Sequence, residues 1–189
     1  MKILFVSLGC DKNLVDTEVM LGLLSEKGYT FTDDEEQADI VVVNTCCFIG
    51  DAKEESIQNI LSMAKRKESG QLKALIVSGC LAQRYQDEIL KEIPEVDAIL
   101  GTTAIDEIVN TVEKVLENQP ENHIEDINKA PVHGKKRIVT TGGHFAYLKI
   151  AEGCSNRCTY CAIPYIRGPF VSRPFEDIIE EAKKLAKEG

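Results

Sequence analysis

Short, near-continuous apolar runs alternate with longer amphipathic stretches through the first two-thirds of the chain. Residues 2–8 (KILFVSL) form such a run and end at Gly9, and residues 14–24 then carry apolar side chains at helical spacing up to Gly28. The valine-rich residues 39–43 are followed by Asn44-Thr45 and by a charged, amphipathic, helical stretch over 52–67. Residues 72–77 end at Ser78-Gly79 and lead to a helix over 83–92 that stops near Pro94. Residues 96–100 end at Gly101 and lead to a helix over 105–116, and a short additional strand is expected at 29–31. Strands without polar alternation are buried on both faces. The pattern therefore predicts a parallel sheet with helices on each side, a doubly wound α/β domain over residues 1–117.

Periodicity then disappears. Pro120, Asn122, Asn128, Pro131 and Gly134 accumulate, which is linker composition and predicts a linker over 118–136. Beyond it, residues 137–141 read as an edge strand, Gly142-Gly143 as a turn, 145–150 as a buried strand and 175–187 as a helix with a charged outer face. One strand and one helix bury too little apolar surface to offset their conformational entropy, so 137–189 read as the truncated start of a second domain.

Composition changes this picture only at the margins. Of 189 residues, 43% are hydrophobic and 28% charged, as in an ordinary folded protein. A formal net charge of -9, from 31 acidic and 22 basic residues, argues against non-specific attraction to a phosphate backbone. The one basic cluster, Lys135-Lys136-Arg137, reads as a solvated part of the linker. The opening apolar run is too short to span a bilayer, and Asp11 and Lys12 follow it without a signal-peptide pattern. Seven cysteines without a secretion signal predict a reducing compartment, hence the cytoplasm, and thiols kept for metal or catalysis.

The cysteines fall into two sets. Cys10, Cys46 and Cys80 each sit just past the carboxyl end of a predicted strand. In an open parallel sheet those ends lie along one edge, so three thiols distant in sequence converge there. They would hold either a 4Fe-4S cluster with one iron left open or a zinc ion with an open position. Cys47 should point away from its neighbour Cys46 and reads as a packed thiol. The second set is compact: Cys154, Cys158 and Cys161, spaced Cys-x3-Cys-x2-Cys. Structural zinc generally takes four protein ligands, and His144 would be the nearest additional candidate only if the preceding strand folded back. His123 and His133 lie in the linker and read as solvated.

The segment Glu152-Gly153-Cys154-Ser155-Asn156-Arg157-Cys158-Thr159-Tyr160-Cys161 resembles the radical S-adenosylmethionine (SAM) superfamily in its cysteine spacing and in the aromatic Tyr160. Ile163-Pro164 and Arg167-Gly168 look like its methylthiotransferase branch. Ser7-Leu8-Gly9-Cys10, Asn44-Thr45-Cys46 and Ser78-Gly79-Cys80 are similar to the three cysteine motifs of the methylthiotransferase amino-terminal domain. The stretch from Leu8 to Glu18 looks more like the RimO type, which modifies a ribosomal protein, than the MiaB type, which modifies tRNA. It departs from that pattern at Asp11, commonly proline, and at Cys47, often glycine.

The resemblance implies an amino-terminal portion with two 4Fe-4S clusters, one on Cys154, Cys158 and Cys161 that binds SAM, and an auxiliary one on Cys10, Cys46 and Cys80 that delivers sulfur. It implies methylthiolation of an aspartate β-carbon in a small-subunit ribosomal protein, a low-potential electron donor, and Tyr160 near the adenine of SAM or, equally, in the core. The β-carbon bears no readily ionised C–H bond, so homolysis by a cofactor-derived radical is the expected route. With most of the barrel missing, the chain alone is expected to be inactive. The alternatives are a tRNA methylthiotransferase and a non-catalytic iron-sulfur or zinc-binding module.

Overall fold

The computed structural model describes residues 1–129 and 134–188. Strands β1 (Lys2–Ser7), β2 (Thr30–Phe31), β3 (Ile40–Thr45), β4 (Ala74–Ser78) and β5 (Ala98–Leu100) form one parallel sheet in the order β2-β1-β3-β4-β5. The chain runs outward from β1 to β2 and then returns across β1 to β3. The direction of winding thus reverses between β1 and β3, the place where a doubly wound sheet opens a crevice at its carboxyl edge.

Alternation along the strands sends side chains to both faces. Ile40 and Val42 of β3 join Ile3 and Ile76 in a core covered by Met20 and Leu24 of α1 (Asp11–Glu26) and by Ile108 and Val112 of α4 (Ile108–Leu116). Val41 and Val43 join Leu75 and Val77 in the opposite core, under Ile60 and Met63 of α2 (Gly50–Glu68) and Leu81 and Ile89 of α3 (Gly79–Glu92). A parallel sheet with helices on both faces is the architecture the apolar pattern predicts.

Local differences have local causes. Helix α1 starts at Asp11, ahead of its first apolar residue, because the Cys10 carbonyl already accepts from Leu14 N (3.1 Å). Helix α3 begins at Gly79, directly at the end of β4. Gly79 has a φ of +89°, and a Cβ there would lie 2.3 Å from Asn44 Oδ1, so this abrupt turn requires glycine. Residues Ile105–Glu107 form a 3-10 turn ahead of α4.

The second segment departs further from expectation. Residues 137–141 form no edge strand. Instead Ile138 N donates to the Glu18 carbonyl (3.0 Å), and Thr140 N and Oγ1 donate to the Glu18 carboxylate (2.7 and 2.8 Å). The fully buried Glu18 side chain supplies the acceptors that a neighbouring strand would have supplied. Residues 145–150 form no buried strand either, and Phe145, Tyr147 and Ile150 remain exposed. Pairing starts only at β6 (Ala151–Glu152), antiparallel to β7 (Val171–Ser172). Among the described residues β7 is its sole neighbour, and a strand buried on both faces needs neighbours on each side. A short helix α5 (Ile163–Ile166) lies between β6 and β7, and α6 (Phe175–Glu188) follows them.

The described part of residues 118–136 is irregular but fastened. His123 bridges Leu100 in parallel, accepting from Gly101 N (2.8 Å) and donating to the Ile99 carbonyl (2.9 Å). It is therefore half-buried at the sheet, with its ring Nε2 buried, rather than solvated. The basic cluster is corrected in the same way. Lys135 and Lys136 are exposed, but the Arg137 side chain is buried against Glu18 (2.7 Å) and Glu181 (2.7 Å). Pro131 and His133 lie outside the described residues. Among the described residues no helix is long and apolar enough to cross a membrane.

Glu18 thus holds residues 137–140 onto α1. Glu18→Ala should lower the free energy of unfolding by about 3 kcal/mol or more, because it strips the buried Arg137 guanidinium of one carboxylate and the Thr140 amide and hydroxyl of their acceptor. Glu54→Ala, on the exposed face of α2, should change it by no more than about 0.5 kcal/mol. Urea denaturation of the two variants checks both values.

Candidate functional site

The carboxyl ends of β1, β3 and β4 bring Cys10, Cys46 and Cys80 to one edge of the sheet. Cys10 caps α1 and is exposed, Cys46 follows β3, and Cys80 is the second residue of α3; the last two are buried. Gly9, at a φ of +88°, makes room for this approach. A Cβ there would stand 2.5 Å from Cys46 Cβ and 2.8 Å from its sulfur. Ser56 of α2 fixes the Cys46 backbone, its Oγ accepting from Cys46 N at 3.0 Å. Asn13 ties the strand ends together. Its Nδ2 donates to the Leu8 and Thr45 carbonyls, both at 2.9 Å, while its own carbonyl accepts from Asn44 Nδ2 at 2.8 Å.

All three cysteines line one cleft of about 1120 Å³, and Cys154 of the second segment lines it too. Gly153, at a φ of +68°, lets the chain pass tightly beside Pro169, and Cys154 N donates to the Gly168 carbonyl at 3.0 Å. Cys158 and Cys161 continue on a turn closed by Cys161 N on the Cys158 carbonyl (3.0 Å), but neither lines the cleft. Phe48 and Ile49 give the cleft an exposed apolar rim.

Among the described residues, no group of three or more His, Cys, Asp or Glu side chains is spaced to hold a single metal ion. A multi-iron cluster differs, because each thiolate binds a different iron and the ligands stand further apart. A set of soft sulfur donors around a roomy cleft at a sheet edge fits an iron-sulfur group on that chemistry. Cys47 takes no part: its Sγ donates to the Cys80 carbonyl (3.3 Å), and burial pushes its thiol up to about 11. Tyr160 is 91% exposed, so it is not a core aromatic here.

A polar network that no local sequence pattern announces lies beneath the cleft. The Arg167 side chain, 6% exposed, donates from Nη1 to Asp16 Oδ2 (2.6 Å) and to Glu152 Oε2 (3.2 Å), from Nη2 to Asn13 Oδ1, and from Nε to Cys80 Sγ (3.4 Å). Lys149 pairs with Asp16 and with Glu152 (3.2 Å), and Lys12 with Glu152 (3.3 Å). Burial alone would raise the Glu152 carboxyl, but Arg167, Lys149 and Lys12 outweigh it and hold it down to about 2. Burial likewise raises the Cys80 thiol, with Arg167 acting in the opposite sense. One signal was available. Asn13, Asp16, Thr17 and Glu18 occupy adjacent turns of α1, and a second polar face on a helix that already covers a sheet calls for a partner element.

The amino-terminal region matches a family model described as uncharacterized protein family UPF0004 over residues 2–101. This chain belongs to the UPF0004 family. The UPF0004 match contains Cys10, Cys46 and Cys80, and residues 148–189, with Cys154, Cys158 and Cys161, match the radical SAM superfamily. Relatives named ribosomal protein uS12 methylthiotransferase RimO align with all of the chain. That of Lachnoclostridium phytofermentans is 58% identical over 189 residues, that of Acetivibrio thermocellus 52% over 197, and that of Clostridioides difficile 52% over 193. The chain spans 43% of the length of each of these relatives.

Asn13 organises this UPF0004 site, which a near-isosteric apolar substitution tests. Asn13→Leu leaves the Leu8 and Thr45 carbonyls and one arm of Arg167 without their partner. Unfolding free energy should fall by about 2–4 kcal/mol. Alkylation of Cys46 and Cys80 in the native protein, followed by mass spectrometry, should speed up. Unchanged stability and unchanged thiol protection would contradict the role assigned to Asn13.

Proposed function

We propose that this chain is the cluster-bearing amino-terminal portion of a cytoplasmic methylthiotransferase that modifies the β-carbon of an aspartate in a small-subunit ribosomal protein. One observation carries the proposal: Cys10, Cys46 and Cys80 share a single cleft with Cys154, the first cysteine of the radical SAM segment. The names of the relatives and the radical SAM match support the same chemistry. Residues 1–117 would form the domain that carries the auxiliary site, 118–136 a linker, and 137–189 the start of the radical SAM domain.

When bound, a 4Fe-4S cluster on Cys154, Cys158 and Cys161 would supply the electron that cleaves SAM, and one on Cys10, Cys46 and Cys80 the sulfur for transfer. The chain's own residues would do the positioning. Gly9, Asn13 and Ser56 hold the sheet-edge thiols. Asp16, Glu152 and Arg167 lock the two cysteine-bearing walls together. Phe48 and Ile49 would screen the reacting centre from water, and the exposed Tyr160 ring is free to stack on the adenine of SAM. A low-potential electron donor completes the system. The net charge of -9 makes a tRNA substrate the poorer fit. Turnover would belong to a longer chain that includes the rest of the barrel.

Anaerobic reconstitution with iron and sulfide, iron analysis and Mössbauer spectroscopy test this function. Wild type should hold two 4Fe-4S clusters, and replacing Cys10, Cys46 and Cys80 together by alanine should remove half of the iron. An unchanged iron content would contradict the auxiliary site. These 189 residues alone should yield no methylthio product from a small-subunit ribosomal protein, and product formed by them would refute the need for a longer chain.

A further inference from the structure

Arg167 stands where the two walls of the cleft meet, and every arm of its guanidinium is engaged. Asp16 and Asn13 of α1 and Glu152 of β6 take its Nη groups, which leaves Nε directed at the sulfur of Cys80 at 3.4 Å. The orientation is over-determined, because a planar fork held at its other positions cannot turn away from the sulfur. The charges point the same way. Around Asp16 and Glu152 stand Lys12, Lys149 and Arg167, so the group carries one more cation than anion, and Arg167 is the cation that touches sulfur. Among the described residues no side-chain donor reaches the sulfur of Cys10 or of Cys46, so the sheet-edge thiols are not equivalent.

We propose that Arg167 is a positioning residue that clamps the Cys80 sulfur with a charged N–H···S hydrogen bond. Cys80 thereby becomes the electronically distinct ligand, and the reduction potential of a cluster on Cys10, Cys46 and Cys80 is raised. Hydrogen bonds to ligand sulfurs withdraw electron density and favour the reduced, more negative cluster. This inference rests on the cluster site proposed above.

The test is a redox titration of the reconstituted full chain followed by electron paramagnetic resonance (EPR). Each cluster is observed alone after the opposite three cysteines are replaced by alanine. Arg167→Met removes charge and donor together, whereas Arg167→Lys keeps the charge but loses the fork. Both should move the sheet-edge cluster to a more negative potential, the methionine variant further, and leave the cluster on Cys154, Cys158 and Cys161 where it was. Loss of only the sheet-edge cluster in both variants would equally support the positioning role. An unmoved sheet-edge potential in both variants, or an equal displacement of both clusters, would overturn the proposal while leaving the functional reading intact. A wild type with no cluster on Cys10, Cys46 and Cys80 would overturn that reading, and this inference with it.

Discussion

A guanidinium removed from water must find an acceptor for each of its arms, because an unpaired buried cation destabilises a fold by several kcal/mol. Arg167 meets that demand by reaching from the end of α5 to α1, β6 and the start of α3. Asn13 and Asp16 lie more than half of the chain away from Glu152 and Arg167, so satisfying this one side chain fixes the second segment against the sheet edge. Lys149 repeats the bridge between Asp16 and Glu152, and Arg137 with Glu18 makes a parallel one further along α1. Helix α1 consequently has two buried faces, an apolar one on the sheet and a polar one under the second segment.

The cleft follows from that clamp together with the winding of the sheet. Reversal between β1 and β3 opens the carboxyl edge at Cys10 and Cys46, and the direct passage from β4 into α3 places Cys80 beside them. Gly9 and Gly79 allow approaches that a Cβ would block. Asn13 then holds the strand ends from within, so the thiols are presented by backbone turns that have little freedom to spread.

Much of this was legible in the sequence, and the reason lies in periodicity. Near-continuous apolar runs such as 39–43 and 72–77 announce strands buried on both faces, and cysteines placed after them must share an edge. The second segment was less legible because its conformation depends on partners far away in the chain. Residues 137–141 look strand-forming, yet the buried Glu18 carboxylate captures them. Residues 145–150 are apolar, yet they have too few neighbours to become a buried strand. Arg137 and His123 looked like solvated linker and are held by Glu18 and by Leu100. The ionic network was hidden for a similar reason. No local pattern says that Asp16 and Arg167 meet, although a polar face on a sheet-covering helix hints that something does.

Cys10, Cys46 and Cys80 share their cleft with Cys154, the first cysteine of the second set, so groups bound by the two sets would stand close together. Pulsed EPR on the reconstituted chain with both clusters reduced measures this directly through their magnetic dipolar coupling. Close approach predicts a clear coupling in the wild type that disappears when Cys10, Cys46 and Cys80 are replaced. Two clusters present in full, with spectra that add without any coupling, would contradict it.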